Sequence, residues 1–363
     1  MKQLEYIVRF NTPAFLGNAE QQGQWRTPPF KALIRQWWRV VKAKEYGYDH
    51  RRVREAEMRL FGAASDSGNE KSHRSLVRLR LSSWAEGTLA SVPRGDPLSH
   101  PEVNAPIGAN LYLGYGPIGG VTRSAIKPVE SSCRLVVLCP DENTVEIHSA
   151  MQLAAWFGTL GSRARNGWGA LQIEGEGIKG FADLNVPTLM GLIAPRPLDA
   201  CLGVEWLHAL GCDANGIPLV WRLLRVDKEK KQLVPFATWQ DVMRELARIK
   251  IAFRTSDFFK FHGGGPGGHP NPQPRHILAY PAGSQHNVGA WGNNGRLANQ
   301  VLFKVHRHRD GFTATIAHFP SRLPAHMAAG HQLPNQGAVW QEVHRLLDTE
   351  KINGLGRIKG VQA

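Results

Sequence analysis

The chain has 363 residues, 42% of them hydrophobic, with 44 Lys and Arg against 30 Asp and Glu, a net charge of +14. That length suits two packed cores. The positive surplus favours a polyanionic partner, through counterion release from phosphates, although charge alone also keeps a basic protein soluble.

No apolar run reaches the roughly 18 residues of a membrane span, and Met1 to Glu5 starts no signal-peptide core. Cys133, Cys139, Cys201 and Cys212 form no Cys-x-x-Cys pair, so a reduced, cytoplasmic setting without a membrane partner is expected.

In chain order, Leu4, Tyr6, Val8 and Phe10 alternate as one face of a half-buried strand. A polar loop from Asn11 to Arg26 leads to Thr27-Pro28-Pro29, which predicts a helix with Thr27 as N-cap and Pro28 in the first turn. Phe30, Leu33, Ile34, Trp37, Trp38 and Val41 make its apolar stripe. Lys31, Arg35, Arg39 and Lys42 form a second row at the same period, with no acid between Phe30 and Lys44. Such a row is usually a solvated face; here it also reads as an uncompensated positive ridge.

Residues 51–61 predict a second helix ending at Gly62, residues 65–71 a polar loop, and residues 75–83 a strand with Val77, Leu79 and Leu81 facing in. From Gly87 to Gly120 the Gly- and Pro-rich chain reads as irregular. It contains Gly108 to Pro117, an aromatic and glycine segment suited to pack beside a ligand. Residues 132–139 read as a buried strand, and a helix follows from about Glu146 to Leu160.

Residues 161–169, Gly-Ser-Arg-Ala-Arg-Asn-Gly-Trp-Gly, come next, ahead of a short strand at Ala170 to Ile173. Glycines let a backbone approach a ligand, Arg163 and Arg165 suit phosphate, and Trp168 offers a face for a base. No Gly-Lys-Ser/Thr follows, so this is not the phosphate loop of nucleotide hydrolases. The plainer reading is a tight helix-to-strand turn with incidental arginines.

The first unit thus reads strand, helix, strand, strand, helix, glycine loop, strand. That order fits an α+β, ferredoxin-like (RRM-like) sheet with helices on one face. Its boundary is placed among Pro187 to Pro197, giving units at 1–190 and 191–363. In the second unit, residues 218–226 suggest a strand. Thr238 caps a helix carrying Trp239, Val242, Met243, Leu246 and Ile249, and residues 301–308 and 312–318 flank a hairpin turn at Arg309-Asp310-Gly311. Val339, Val343, Leu346 and Leu347 mark a last helix, followed by a fainter glycine loop at Asn353 to Arg357. A second ferredoxin-like domain follows from this order. Residues 261–296, dense in Gly, Pro, Asn and His, read as an insertion with little to hold it until it orders against a neighbouring subunit or RNA.

With 15 histidines, ribonuclease chemistry has to be weighed. His306 and His308 alternate on a strand with Lys304, and His318 sits on the next strand, a possible acid–base cluster. More often such a cluster binds phosphate or is simply exposed. The helix from Thr27 to Lys44 has no histidine, and His50 lies beyond it. Cys201, His208 and Cys212 match no standard zinc spacing, and His262 to His276 reads as loop. No catalytic residue, metal or cofactor is therefore assigned. The candidate RNA contacts are Asn18 and Arg26 before the first helix, Lys31, Arg35 and Arg39 on it, Gly161, Ser162, Arg163, Arg165, Asn166, Gly167, Trp168 and Gly169 in the loop, and Arg296 and Lys304 beyond.

Trp25 to Arg39 resembles the first helix of RAMP proteins, the repeat-associated subunits of CRISPR effector complexes, and most nearly the first-named subunit of the type III-B Cmr complex. Asn11-Thr12-Pro13-Ala14-Phe15-Leu16-Gly17 fits the family's Thr-Pro-x-x-x-Gly stretch, Leu113 to Gly116 its Leu-Gly-Tyr-Gly segment, and Gly161 to Gly169 its glycine-rich loop. Ser162-Arg163 stands where many members have Gly-Gly. The resemblance is specific over residues 6–40 and 111–170 and thin beyond 200. It implies two tandem ferredoxin-like domains with long loop insertions, in a subunit that caps the complex near the guide RNA 3′ end. Such a subunit holds guide RNA (crRNA) and single-stranded target RNA beside sibling RAMP subunits, in antiviral defence, without cutting either strand. The alternatives are a RAMP-fold guide-RNA-processing endonuclease and a general RNA-binding module outside CRISPR.

Overall fold

The computed structural model describes the chain except residues 64–71, 121–122, 228, 265–267, 283–285, 293–294, 350–353 and 359–363. The expected polar loop at 65–71 therefore lies outside the described residues. Strand β1 (Lys2–Phe10) buries Tyr6, Val8 and Phe10 on one face, as its alternation predicts. Helix α1 (Thr27–Lys42) follows. Its N-cap is Arg26, not Thr27, because the extended cap conformation falls one residue earlier; Pro28 lies in the first turn as expected. Helix α2 (His50–Phe61) ends at Gly62, and strand β2 (Arg78–Leu81) comes next.

The stretch read as irregular holds regular structure: a hairpin of β3 (Pro97–His100) and β4 (Val103–Gly108), then helix α3 (Ala109–Gly114). Strand β5 (Ser132–Cys139) is half-buried rather than buried: Cys133, Leu135, Val137 and Cys139 face the core and Arg134 faces out. Helix α4 (Thr144–Phe157) and strand β6 (Leu171–Glu174) complete the first sheet, in the order β2-β5-β1-β6. Every pair is antiparallel; Tyr6 faces Leu135 and Val8 faces both Cys133 and Ile173, so their buried side chains share one face.

The second half repeats the plan with β7 (Val220–Leu223), α5 (Trp239–Arg254), the short α6 (Pro274–Leu278), β8 (Val301–His308), β9 (Gly311–His318), α7 (Gln336–Leu347) and β10 (Leu355–Arg357). Thr238 caps α5, its side chain accepting from the Asp241 amide. The sheet order is β8-β9-β7-β10, again antiparallel throughout. In chain order, both sheets place their strands second, third, first, fourth.

The two cores interlock. Phe319, beyond β9, packs its ring 5.2 Å from Trp37 of α1 and 5.5 Å from Phe157 of α4. Conversely, Phe15 and Trp168 from the first half join the core of the second. The 261–296 stretch is better anchored than its composition implies. Ile277, Leu278, Tyr280, Val288 and Trp291 are buried in the second core, and the Trp291 indole donates to the Met327 carbonyl at 2.8 Å. These residues are thus part of the second unit's own packing, which corrects the expectation that the insertion has little to hold it.

Candidate nucleic-acid interface

The cationic row of α1 exists, but it is partly compensated. Glu57 of α2 is 2% exposed, and its carboxylate takes Arg35 Nε at 2.5 Å, Arg39 Nε at 2.6 Å and Arg39 Nη2 at 2.7 Å. Two guanidinium groups share one carboxylate, so the row stays positive. The Lys31 ammonium donates to Ser75 Oγ at 2.8 Å; burial, then Arg35, lowers its pKa. With His50, Arg54 and His73 these residues line an open cleft of about 700 Å³. Glu57 escaped the sequence reading because no acid lies on α1 itself. Its signal was a carboxylate inside the apolar stripe Val53, Glu57, Leu60, Phe61 of α2.

The 161–169 loop is mainly a joint between the halves. Trp168 is fully buried, its ring 5.5 Å from Phe15 and 6.0 Å from Trp239, so it cannot stack on a base without leaving the core. Arg165 turns inward: Nη1 donates to the Asn299 carbonyl at 2.6 Å, and its own carbonyl accepts from the Phe303 amide of β8. Asn166 donates to the Leu113 carbonyl and accepts from Lys250 Nζ, each near 2.8–2.9 Å. Gly167 is buried, and its carbonyl accepts from Thr12 Oγ1. Asn11 reaches across to the Val305 carbonyl at 3.1 Å. The Asn11-Thr12-Pro13 stretch thus fastens the same joint.

Two glycines are required by this packing. Gly161 has φ +97° and a Cβ there would lie 2.6 Å from the Phe15 carbonyl oxygen; Gly169 has φ +58° and would place one 1.8 Å from that of Leu160. Gly161 and Arg163 are the exposed residues of the loop, Ser162, Ala164, Arg165 and Asn166 are partly exposed, and Gly167 to Gly169 are buried. Arg163 Nε donates to the Tyr115 carbonyl at 2.7 Å.

The other candidates separate. Asn18 is half-buried and closes a local turn, its Oδ1 accepting from the Gln22 amide. Arg26, at the start of α1, has its Nε enclosed without a hydrogen-bond partner among the described residues. Arg296 is exposed and donates to the Gly295 carbonyl. Lys304 is 1% exposed, its ammonium donating to the Ala154 and Ala155 carbonyls at the end of α4, so it holds a helix terminus rather than a phosphate.

The histidines do not form a surface acid–base cluster. His306 is buried against Thr315 Oγ1, and His318 is buried against His344 Nε2 at 2.8 Å. They lie at different ends of the hairpin, where His306 pairs with Thr313 and His318 with Val301. Burial holds both rings well below the usual imidazole pKa. His208 is bonded to the Trp206 carbonyl and to Arg196, and burial pushes its pKa down to about 4.

No family model and no curated protein sequence matches the chain. Among solved structures it is similar to Cmr1 from Pyrococcus furiosus in its apo form, at 16% identity over 99% of both chains, with a TM-score of 0.46. It is also similar to a chain of the Type III-B Cmr-beta complex bound to cognate target RNA, at 10% identity over 95% of this chain and 100% of that one, TM-score 0.47. A chain of a Type IV-B CRISPR complex matches 54% of this chain and all of its own length, at 12% identity and TM-score 0.31.

Proposed function

We propose that this chain is a non-catalytic RNA-binding subunit of RAMP type in a type III, Cmr-type CRISPR ribonucleoprotein. In this reading it works in the cytoplasm in antiviral defence. The observation that carries the reading is the α1–α2 cleft, where, among the described residues, Lys31, Arg35, Arg39 and Arg54 outnumber the one lining carboxylate, Glu57. It lies on the helix whose sequence resembles RAMP proteins. An excess of cations in an open cleft attracts a phosphate backbone without reading bases.

The strand order shared by both sheets supports two tandem ferredoxin-like domains, at 1–190 and 191–363. Burial of His306 and His318 supports the non-catalytic reading over a guide-processing endonuclease. Arg26 and the exposed end of the loop at Gly161 to Arg163 are further candidate RNA contacts in this reading. On this reading the partners are guide RNA, single-stranded target RNA and sibling RAMP subunits. The decisive test is purification of the tagged protein from its native cells, with sequencing of the bound RNA. Recovery with sibling subunits and a set of short repeat-derived guides supports the reading. Recovery alone, with unselected cellular RNA, makes it a general RNA-binding module.

A further inference from the structure

We infer that Tyr115, seated beside Arg163, is a stacking platform for an unpaired RNA base, and that Lys250 and Arg254 hold the adjoining phosphates. This inference rests on the RNA-binding reading above and names a second contact for it, away from the α1–α2 cleft.

Tyr115 is 66% exposed, an unusual position for so large an apolar ring. It is nonetheless fixed in place. Tyr115 and Gly116 pair with Ile118 and Gly119, and the Arg163 guanidinium grips the Tyr115 carbonyl at 2.7 Å. Arg163 itself sits in the left-handed backbone region, φ +58°, so the chain bends to present it there.

The cations behind this turn are connected through it. Asn166 bonds the Leu113 carbonyl of α3 on one side and accepts from Lys250 Nζ on the other, and that ammonium lies 5.9 Å from the Tyr112 ring. Lys250 and Arg254 are one turn apart on α5 and half-buried. Arg275, close to Arg254, is already matched by Glu102 at 2.6 Å. Burial first, then Arg254 and Arg163, hold the Lys250 amine well below its usual pKa, and the two guanidinium groups place further positive charge close to it. An exposed ring held beside Arg163, with further cations reached through Asn166 behind the same turn, is an arrangement that suits single strands, because every base has a face to stack and every nucleotide a phosphate.

The test uses the full-length protein with short oligouridylates carrying 2-aminopurine at successive positions, whose fluorescence falls when the base stacks. The wild type binds and quenches the probe at one or two positions. Tyr115→Ala binds roughly tenfold more weakly and loses the quench, whereas Tyr115→Trp restores both. Lys250→Gln weakens binding but keeps the quench. A Tyr115→Ala protein with wild-type affinity and quench overturns the inference and leaves Tyr115 as a protein contact, with RNA binding by the cleft still standing. Failure of the wild type to bind the oligouridylate at low salt overturns this inference and the RNA-binding reading together.

Discussion

Because Arg35 and Arg39 share a carboxylate that is 2% exposed, alanine at both positions reports on folding as well as on RNA. Stranding Glu57 without a partner costs about 3–5 kcal/mol. Glu57→Gln is the cleaner probe: it frees both guanidinium charges, so RNA affinity should rise and the log–log salt dependence should steepen by about one charge. Lys31→Ala should do the reverse, while loss of its bond to Ser75 Oγ lowers stability by about 1 kcal/mol. Unchanged salt slopes in both variants would reduce the row to a solvated face. Gly169→Ala tests the loop separately. A Cβ placed 1.8 Å from the Leu160 oxygen, on a backbone at φ +58°, should cost about 3 kcal/mol or more in urea unfolding.

Lys304 shows how an element can be misread from its residues alone. On an alternating strand beside two histidines it looks like a phosphate ligand, yet its ammonium ends α4 by bonding the carbonyls of Ala154 and Ala155. Lys304→Met should therefore lower stability by about 1–3 kcal/mol, with RNA affinity unchanged. Weaker RNA binding at full stability would restore the earlier assignment. The elements that were legible in the sequence are those with local periodicity. The stripe Phe30, Leu33, Ile34, Trp37 of α1 and the alternation of β1 carry their own burial signal. The loop at 161–169 was illegible because its partners, Thr12, Leu113 and Asn299, are remote in sequence. The 261–296 stretch hid its anchors because Ile277, Tyr280, Val288 and Trp291 follow no helix or strand period. Of the candidate site, the basic row was readable and its counter-charge on a second helix was not.

Across the molecule, interlocked cores and buried histidines make stability depend on pH. Burial pushes His208, His276 and His344 down to about 4. Their unfolded values lie near 6.5, so between those limits the unfolded chain binds more protons than the folded one. The stability these neutral rings contribute is complete above about pH 6.5 and is lost as pH falls toward 4, by up to about 3 kcal/mol for each. Urea midpoints measured from pH 7.5 down to pH 4.5 should fall steadily; a flat profile would contradict the burial of these rings. Hydrogen exchange of the free protein should likewise show slow amides at Val288 and at the paired Tyr280 and Leu297, consistent with a stretch packed into the second core.

Binding of single-stranded RNA by the purified full-length protein, followed across a salt series with the RNA checked for integrity, is the most direct measurement. The basic cleft predicts a dissociation constant that rises linearly with salt on a logarithmic plot, a steeper slope in Glu57→Gln, a shallower one in Lys31→Ala, and RNA that stays intact with or without magnesium. Binding indifferent to salt, or RNA cut by the protein and spared by His306→Ala or His318→Ala, would contradict a non-catalytic subunit that holds RNA by its backbone.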